Sequence, residues 1–295
     1  MAGSLTGSPT RQPRSGALYV VSTPIGNLDD ITVRALDTLK SVGLIAAEDT
    51  RRTGLLLRHF GITTPTTSLH EHNETEKLPS LLQKLGDGLD IALVSDAGTP
   101  LVADPGQRLI ASAIERGIRI IPIPGPSAVM AALAASGYPA DEFLFAGFAP
   151  SRSKDRKTWL QSLSKEPRTV VFFETPHRIE KTLSEMAAIL GDRPITIGRE
   201  LTKIHEEFVR SAAHDAPRMK VLERGEFTIV IAPYSKPSTE LEPIDDVELS
   251  AYFCHMTDSR ELSRREAVVA TANKFGLSPN DVYARLERLK SSSAS

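Results

Sequence analysis

Four short stretches carry side chains suited to chemistry, each just after an apolar run. Ala47-Glu48-Asp49-Thr50-Arg51 places two carboxylates beside an arginine. Such a group is either a helix-start cap with a salt bridge or a charged cluster facing a substrate. Val94-Ser95-Asp96-Ala97-Gly98-Thr99-Pro100-Leu101-Val102-Ala103-Asp104-Pro105-Gly106 is rich in small, polar and turn-forming residues. Small residues let the backbone approach a ligand closely, and the stretch is about twice as long as an ordinary turn. Asp104 before Pro105 suits a helix N-cap. Thr23-Pro24-Ile25-Gly26-Asn27-Leu28-Asp29-Asp30-Ile31-Thr32 reads either as a turn capped by Asp29 or Asp30 or as a ligand loop. In Ile123-Pro124-Gly125-Pro126-Ser127-Ala128 two prolines fix the path and aim Ser127 at a helix start. His70 and His72 could share one strand face, but no third ligand accompanies them, and no metal is expected.

Absences narrow the chemistry. There is no G-x-G-x-x-G fingerprint, no G-x-x-x-x-G-K-S/T phosphate loop and no H-E-x-x-H pair. No acidic-x-Gly-x-Gly loop follows the first apolar run, as a Rossmann-type methyltransferase would suggest. A single cysteine, Cys254, rules out an intramolecular disulfide and a cysteine-based zinc site. It suits a reducing, cytoplasmic setting. Thirty-five basic against 37 acidic residues give a net charge of -2, so a polyanion must be met by a local patch. No apolar run approaches the ~18 residues of a membrane span, and Met1 to Ser15 lacks the apolar core of a signal peptide.

The elements that must position these loops alternate. Strands are expected at Leu18–Val21, Leu44–Ala47, Asp90–Val94 and Arg119–Ile123. Helices are expected at Ile31–Val42, Arg51–His59, Leu78–Leu85, Gln107–Arg116 and Ser127–Ala135. This alternation indicates a largely parallel sheet, whose ligands bind outside the carboxyl ends of the strands. All four loops lie there. Ser136 to Asp141 reads as a hinge. A second α/β unit has expected strands at Phe143–Phe145, Thr169–Phe173, Ile195–Gly198 and Phe227–Ala232, with helices at Lys157–Leu163 and Ile179–Leu190. Proline and acidic residues mark Pro233–Glu248 as a linker. Beyond it, Leu262 to Leu286 reads as helix, glycine turn, helix, with Ser263 and Ser278 as caps. The expected division is a tail 1–16, α/β domains 17–136 and 137–234, a linker 235–248 and a helical module 249–290.

The motifs Thr23-Pro-Ile-Gly-Asn-Leu-x-Asp-Ile-Thr, Ala46-Ala-Glu-Asp-Thr-Arg51, Val94-Ser-Asp-Ala-Gly-Thr-Pro100, Asp104-Pro-Gly and Pro124-Gly-Pro-Ser127 resemble the tetrapyrrole-methylase superfamily. More narrowly they resemble the bacterial ribosomal small subunit methyltransferase I family, the 16S rRNA (cytidine-2'-O)-methyltransferases. Phe173-Glu-Thr-Pro-His-Arg178, Arg199-Glu-Leu-Thr-Lys203 and His205-Glu206-Glu207 extend the match over roughly Ala17 to Ala232. The tract from Phe208 to Arg224 departs from the family pattern. The resemblance implies two α/β domains of tetrapyrrole-methylase type with a cleft between them, plus a small C-terminal helical module. It implies S-adenosylmethionine (SAM) in that cleft, a homodimer, and a cytidine of the decoding region, in the assembled 30S subunit, as substrate. By motif position, Ser95, Asp96, Ala97, Gly98, Thr99 and Val102 line the cofactor, with Pro24, Ser127, Ala128, Phe173, Glu174 and Leu201.

Candidates for the catalytic base are Glu48, Asp49, Lys203 and Glu206, a lysine serving only if its pKa is lowered. The alternative is that proximity supplies most of the rate, while Arg51, Lys203 and Arg178 hold RNA phosphates. Arg152, Lys154, Arg156 and Lys157 offer a further basic patch, and Arg264, Arg265 and Arg285 decorate the C-terminal helices. Rival readings are a small-molecule methylase of the same superfamily, acting on a tetrapyrrole or corrin precursor, and a non-catalytic, SAM-responsive nucleic-acid-binding protein.

Overall fold

The computed structural model describes residues 15–219, 224–235, 245–258, 262–275 and 277–292. The expected N-terminal tail before Ser15, most of the linker and the glycine of the C-terminal turn lie outside them. Residues up to Tyr234 form one compact unit that holds both sheets, and a second unit starts at Ser235.

Five parallel strands build the first sheet: β1 (Ala17–Val21), β2 (Leu44–Ala47), β3 (Thr66–Ser68), β4 (Ile91–Val94) and β5 (Arg119–Ile123). Their order is β3-β2-β4-β1-β5, with every pairing parallel. Helices cover both faces, so the inner strands β1, β2 and β4 read as continuous apolar runs. Leu39 of α1 (Val33–Ser41) and Leu57 of α2 (Thr50–His59) pack with Val21, Ile45 and Val94. On the other face Leu82 of α3 (Glu74–Gly86) and Leu109 of α4 (Gln107–Glu115) pack with Leu18 and Leu93.

Caps differ from expectation. Asn27, rather than Asp29 or Asp30, caps the short 3₁₀ turn Leu28–Asp30, and Thr32 caps α1. The N-cap of α4 is Gly106, which has no side chain to offer. The buried carboxylate of Glu74, from the first turn of α3, accepts the backbone N–H groups of Arg108 and Leu109 at 2.9 and 3.1 Å. Glu74 thus satisfies α4's free donors across tertiary structure, and Asp104 is released for another task. Helix α3 starts at Glu74, four residues before the expected Leu78, with Asn73 at its N-cap and Pro79 accommodated inside it.

The second sheet is mixed, in the order β6-β7-β10-β8-β9. Its strands are β6 (Phe143–Phe148), β7 (Thr169–Glu174), β8 (Pro194–Arg199), β9 (Glu207–Ala212) and β10 (Phe227–Ile231). Only β6 and β7 run parallel; the other pairings are antiparallel. Helices α6 (Ser153–Leu163) and α7 (Ile179–Leu190) cover one face around Phe172, Met186 and Ile229. Helix α5 (Ala128–Ser136) covers the other around Val171 and Val230. The two unexpected strands, β3 and β9, are both sheet edges. Edge strands are short or polar, so neither carries the apolar run that marks a central strand.

Arg156 corrects an expectation. It is not a surface cation: only 2% of its side chain is exposed, and its Nε donates to Glu185 at 2.6 Å. Helix α6 turns Arg156, Leu160 and Leu163 inward at helical spacing. Burial alone would raise the Glu185 pKa, but hydrogen bonds from Arg156 and Ser153 outweigh it and hold the carboxyl below its ordinary value.

The second unit contains α8 (Asp246–Asp258), α9 (Arg264–Phe275) and α10 (Pro279–Ser292) around Leu249, Val268, Ala272, Val282 and Leu286. Helix α8 takes in the end of the expected linker. Ser263 and Glu266 form a reciprocal capping box for α9. Ser278 caps α10, with Pro279 in the first helical position.

Removing one partner of a buried ion pair strands the other charge. Glu185→Ala is therefore expected to destabilise the protein by about 3–5 kcal/mol, read as a lower midpoint of urea unfolding. A shift under about 1 kcal/mol would contradict the structural role given to this pair.

Candidate active site

The carboxyl ends of β1, β2, β4 and β5 open onto a cleft of about 310 Å³ whose opposite wall comes from the second sheet. That volume sits at the lower end of ordinary small-molecule sites. The loops after β1 and β4 are joined by a two-residue bridge: Thr23 N–H donates to Gly98 O at 2.8 Å and Gly98 N–H to Thr23 O at 3.0 Å. Gly98 has φ +78°, and a Cβ there would come within 3.4 Å of Ile25. Ala97, Gly98 and Thr99 thus offer the cleft mainly backbone.

Two apolar side chains are presented by the same device. Val102 lies between Leu101 (φ 76°) and Ala103 (φ 67°), and Leu201 between Glu200 (φ 51°) and Thr202 (φ 66°). Four non-glycine residues in the left-handed region store strain, and such residues gather at functional sites. Both presented side chains line the cleft. A latch joins the two halves beside Leu201. Asn27 N–H donates to Thr202 Oγ1 at 3.0 Å, and a Cβ on Gly26 would lie 2.9 Å from Leu201 O and 2.4 Å from Lys203 Cγ.

Three carboxylates, Glu48, Asp96 and Asp104, stand on one side of the cleft. Asp96 N–H donates to Glu48 Oε2 at 3.3 Å, and Asp49 N–H donates to Asp96 Oδ1 at 3.0 Å. Arg52 approaches Asp96 at 3.4 Å. Burial raises the Glu48 pKa; the Asp96 backbone bond opposes this and the Asp96 charge reinforces it. His70, whose Nδ1 is buried without a hydrogen-bond partner, lies close enough to Glu48 to act on its charge. Its ring meets that of His72 edge to face at 6.1 Å. Asp104 is pushed up to about 6, first by burial, then by Glu48 and Asp96, against a hydrogen bond from Ser95.

Of the candidate bases, Glu48 alone lines the cleft. Asp49 caps α2 and binds Arg51 at 2.7 Å; the hydrogen bonds from Arg51 push its pKa well below the carboxylate range. Lys203 pairs with Glu200 at 2.8 Å and Glu226 at 3.0 Å. Burial works to lower its pKa, but these two partners raise it overall, so it cannot meet the condition of a lowered pKa. The Glu206 carboxylate accepts Thr202 N–H at 2.6 Å and closes a turn.

Asp96, Ala97, Gly98, Thr99, Val102, Ser127, Ala128, Phe173, Glu174 and Leu201 all border the cleft. Pro24 and Ser95 lie behind the wall; Ser95 donates from Oγ to Ala97 O. Ser127 doubles as the N-cap of α5. The Glu174 carboxylate is turned inward to Thr182, Thr175 N–H and Arg178. Arg178, partly buried, pairs with Glu174 at 2.8 Å. Arg152, Lys154 and Lys157 are exposed. In the second unit Arg265 is exposed, Arg264 pairs with Glu287 and Arg285 with Asp246. Sequence reasoning missed Arg52, Asp104, Phe148 and Glu226 on the cleft wall. For Asp104 the signal was its place in the same small-residue loop, which the cap reading obscured.

Two outcomes follow from this geometry. A carboxyl whose folded pKa lies above its unfolded value binds protons more tightly when folded, so its stability contribution falls as pH rises from about 4 to about 6. Asp104→Asn is therefore expected to raise the melting temperature at pH 8 and to leave it unchanged below pH 4. Equal or lower stability at pH 8 would contradict the placement. Gly26→Ala is expected to cost about 1–3 kcal/mol by overpacking the latch, measured by thermal unfolding.

Residues 17–217 match the family model described as Tetrapyrrole (Corrin/Porphyrin) Methylases. A relative named ribosomal RNA small subunit methyltransferase I, from Escherichia coli O157:H7, is 43% identical over 91% of this chain and 93% of its own. A relative of the same name from Synechocystis is 49% identical over 78% of this chain and 85% of its own. Among solved structures, diphthine synthase superposes with a TM-score of 0.60 at 16% identity, over 74% of this chain and 90% of that one. That likeness concerns the fold alone. The parallel sheet with its acid-lined cleft, the matching motifs and these identities agree: the chain belongs to the tetrapyrrole methylase family, and within it to the ribosomal RNA small subunit methyltransferase I proteins.

Proposed function

We propose that the protein methylates the 2'-hydroxyl of a cytidine in the decoding region of 16S rRNA, using SAM. The observation that carries this reading is the cleft itself. It combines backbone-rich loops, an acidic side on which three carboxylates face one arginine, and one carboxylate, Glu48, whose pKa is raised by burial. The residues fit a cationic cofactor. Gly98 keeps its place on the wall free of a side chain, and Glu48, Asp96 and Asp104 supply negative charge against which a desolvated cation is not stranded. Asp96, Gly98, Thr99, Val102, Ser127, Ala128 and Leu201 would hold it, with Pro24 and Ser95 supporting the loops from behind. When bound, SAM supplies a methyl group on a positively charged sulfur.

A ribose hydroxyl is a poor nucleophile at neutral pH. The rigid cleft lines it up for displacement, which is the largest available effect. Glu48, on the cleft wall, would take the hydroxyl proton. A carboxylate with a raised pKa is a better base than an ordinary one. kcat/KM, which reports the free enzyme, is therefore expected to rise with pH through a range above the usual carboxylate values and then level off. The 16S rRNA, in the assembled 30S subunit, meets Arg51, Arg152, Lys154 and Lys157 on the first unit and Arg265 on the second. The protein acts as a homodimer in the cytoplasm; among the described residues no helix is long and apolar enough to cross a membrane.

The test is methyl transfer from labelled SAM to 30S subunits and to free 16S rRNA from an unmethylated strain, mapped by mass spectrometry. A single 2'-O-methylcytidine in the decoding region is expected. No transfer to either RNA while SAM still binds would refute the assignment and favour a small-molecule substrate. Glu48→Gln is expected to lower kcat by roughly 10²–10⁴-fold, and Lys203→Gln by less than about tenfold. A Glu48→Gln variant of normal kcat would leave proximity as the whole catalytic effect.

A further inference from the structure

Three phenylalanines line the cleft. Phe227 is buried, Phe173 is partly buried, and Phe148 keeps 51% of its surface exposed. Strand alternation does not account for the position of Phe148. On β6, Leu144 and Ala146 face the core beneath α6 and α7, while Phe143 and Phe145 face the side of α5. A strict two-residue period would send Phe148 to the same face as Ala146. Between the pairs Phe145–Val171 and Phe148–Phe173, however, β6 advances three residues and β7 two. Within this bulge lies Gly147 at φ +68°. Bulges re-aim side chains and are frequent beside active sites. Here the bulge moves Phe148 to the face of Phe145, against Phe173 with ring centroids 5.3 Å apart, and Ala149 takes the core position.

The chain beyond Phe148 is held as firmly. Buried Arg156 donates to the carbonyls of Pro150 and Ser151 at 3.1 and 3.3 Å while paired with Glu185. It fixes the turn that runs from Phe148 to the exposed cations Arg152, Lys154 and Lys157. An open aromatic face and a row of cations thus form one rigid segment at the mouth of the cleft. The acidic side of the cleft repels phosphates, so cations that serve an RNA must lie outside it.

We propose that Phe148 is a nucleobase-stacking residue: the base of the target nucleotide stacks on its exposed face while Arg152, Lys154 and Lys157 hold the neighbouring phosphates. This rests on the RNA-methyltransferase reading above. A nucleotide whose sugar enters a cleft leaves its helical stack, and an aromatic ring replaces the lost neighbour. Aromatic faces beside basic residues are the usual means of binding single strands. Bulge and clamp set the platform before RNA arrives, which limits the ordering cost of binding.

The test compares the wild-type chain, Phe148→Ala and Phe148→Trp. It reads steady-state methylation of unmethylated 30S subunits and, by calorimetry, SAM affinity. Phe148→Ala is expected to lower kcat/KM for the subunit by roughly ten- to a hundredfold, mainly through KM. Phe148→Trp is expected to stay within about threefold of wild type because it keeps a stacking face. SAM affinity is expected to be equal in all three. A matching fall in SAM affinity would assign the ring to the cofactor's adenine and overturn the proposal. So would equal losses in both variants, which would leave Phe148 a packing role only. An active wild type with an unaffected Phe148→Ala variant would overturn the platform alone; an inactive wild type would overturn the RNA reading together with it.

Discussion

The structure turns on one electrostatic constraint: Glu48, Asp96 and Asp104 share one side of a partly dry cleft, and among the described residues the one cation paired with any of the three is Arg52, 3.4 Å from Asp96. Like charges in such a place raise one another's pKa and oppose folding. The surrounding architecture tolerates this cost in identifiable ways. Asp96 accepts Asp49 N–H, Glu48 accepts Asp96 N–H, and Ser95 bonds Asp104. Glu74 takes over the cap of α4, so that Asp104 need not. A bound cation would relieve the same repulsion, which couples the stability of the empty fold to the ligand it awaits.

Rigidity is concentrated around this cluster. The Thr23–Gly98 bridge, the Asn27–Thr202 latch and the pairs of left-handed residues around Val102 and Leu201 hold loops from both sheets in set positions. Displacement chemistry gains most from fixed geometry, and strained backbone persists only where its surroundings over-determine it. On the rim, the Arg156–Glu185 pair does for the Phe148 segment what the latch does for Leu201.

The central strands and most helices were legible because a sheet buried on both faces forces continuous apolar runs and the helices between them show a clear period. β3 and β9 were not, because Thr66-Thr67-Ser68 and the half-buried Glu207–Ala212 need no such run at an edge. Cleft-facing loops were legible from small residues at strand ends. The role of single charged residues was less so, since it depends on tertiary partners. Arg156 and Lys154 look alike in sequence, yet the face of α6 buries one and exposes the other. Asp104 has the sequence position of a cap, but Glu74, thirty residues earlier in the chain, fills that role. The re-aimed Phe148 depends on a one-residue register shift, which Gly147 alone does not announce.

The most direct test of the account is the proton balance of cofactor binding near pH 6, measured by calorimetry in buffers of different ionisation enthalpy. A cation beside Asp104 and Glu48 must lower their pKa values and expel protons. Net proton release is expected on binding SAM at pH 6, less release with the uncharged thioether product, and none with SAM at pH 8. Binding of SAM with no proton release at pH 6 would contradict the claim that the acidic side of this cleft receives the cationic cofactor.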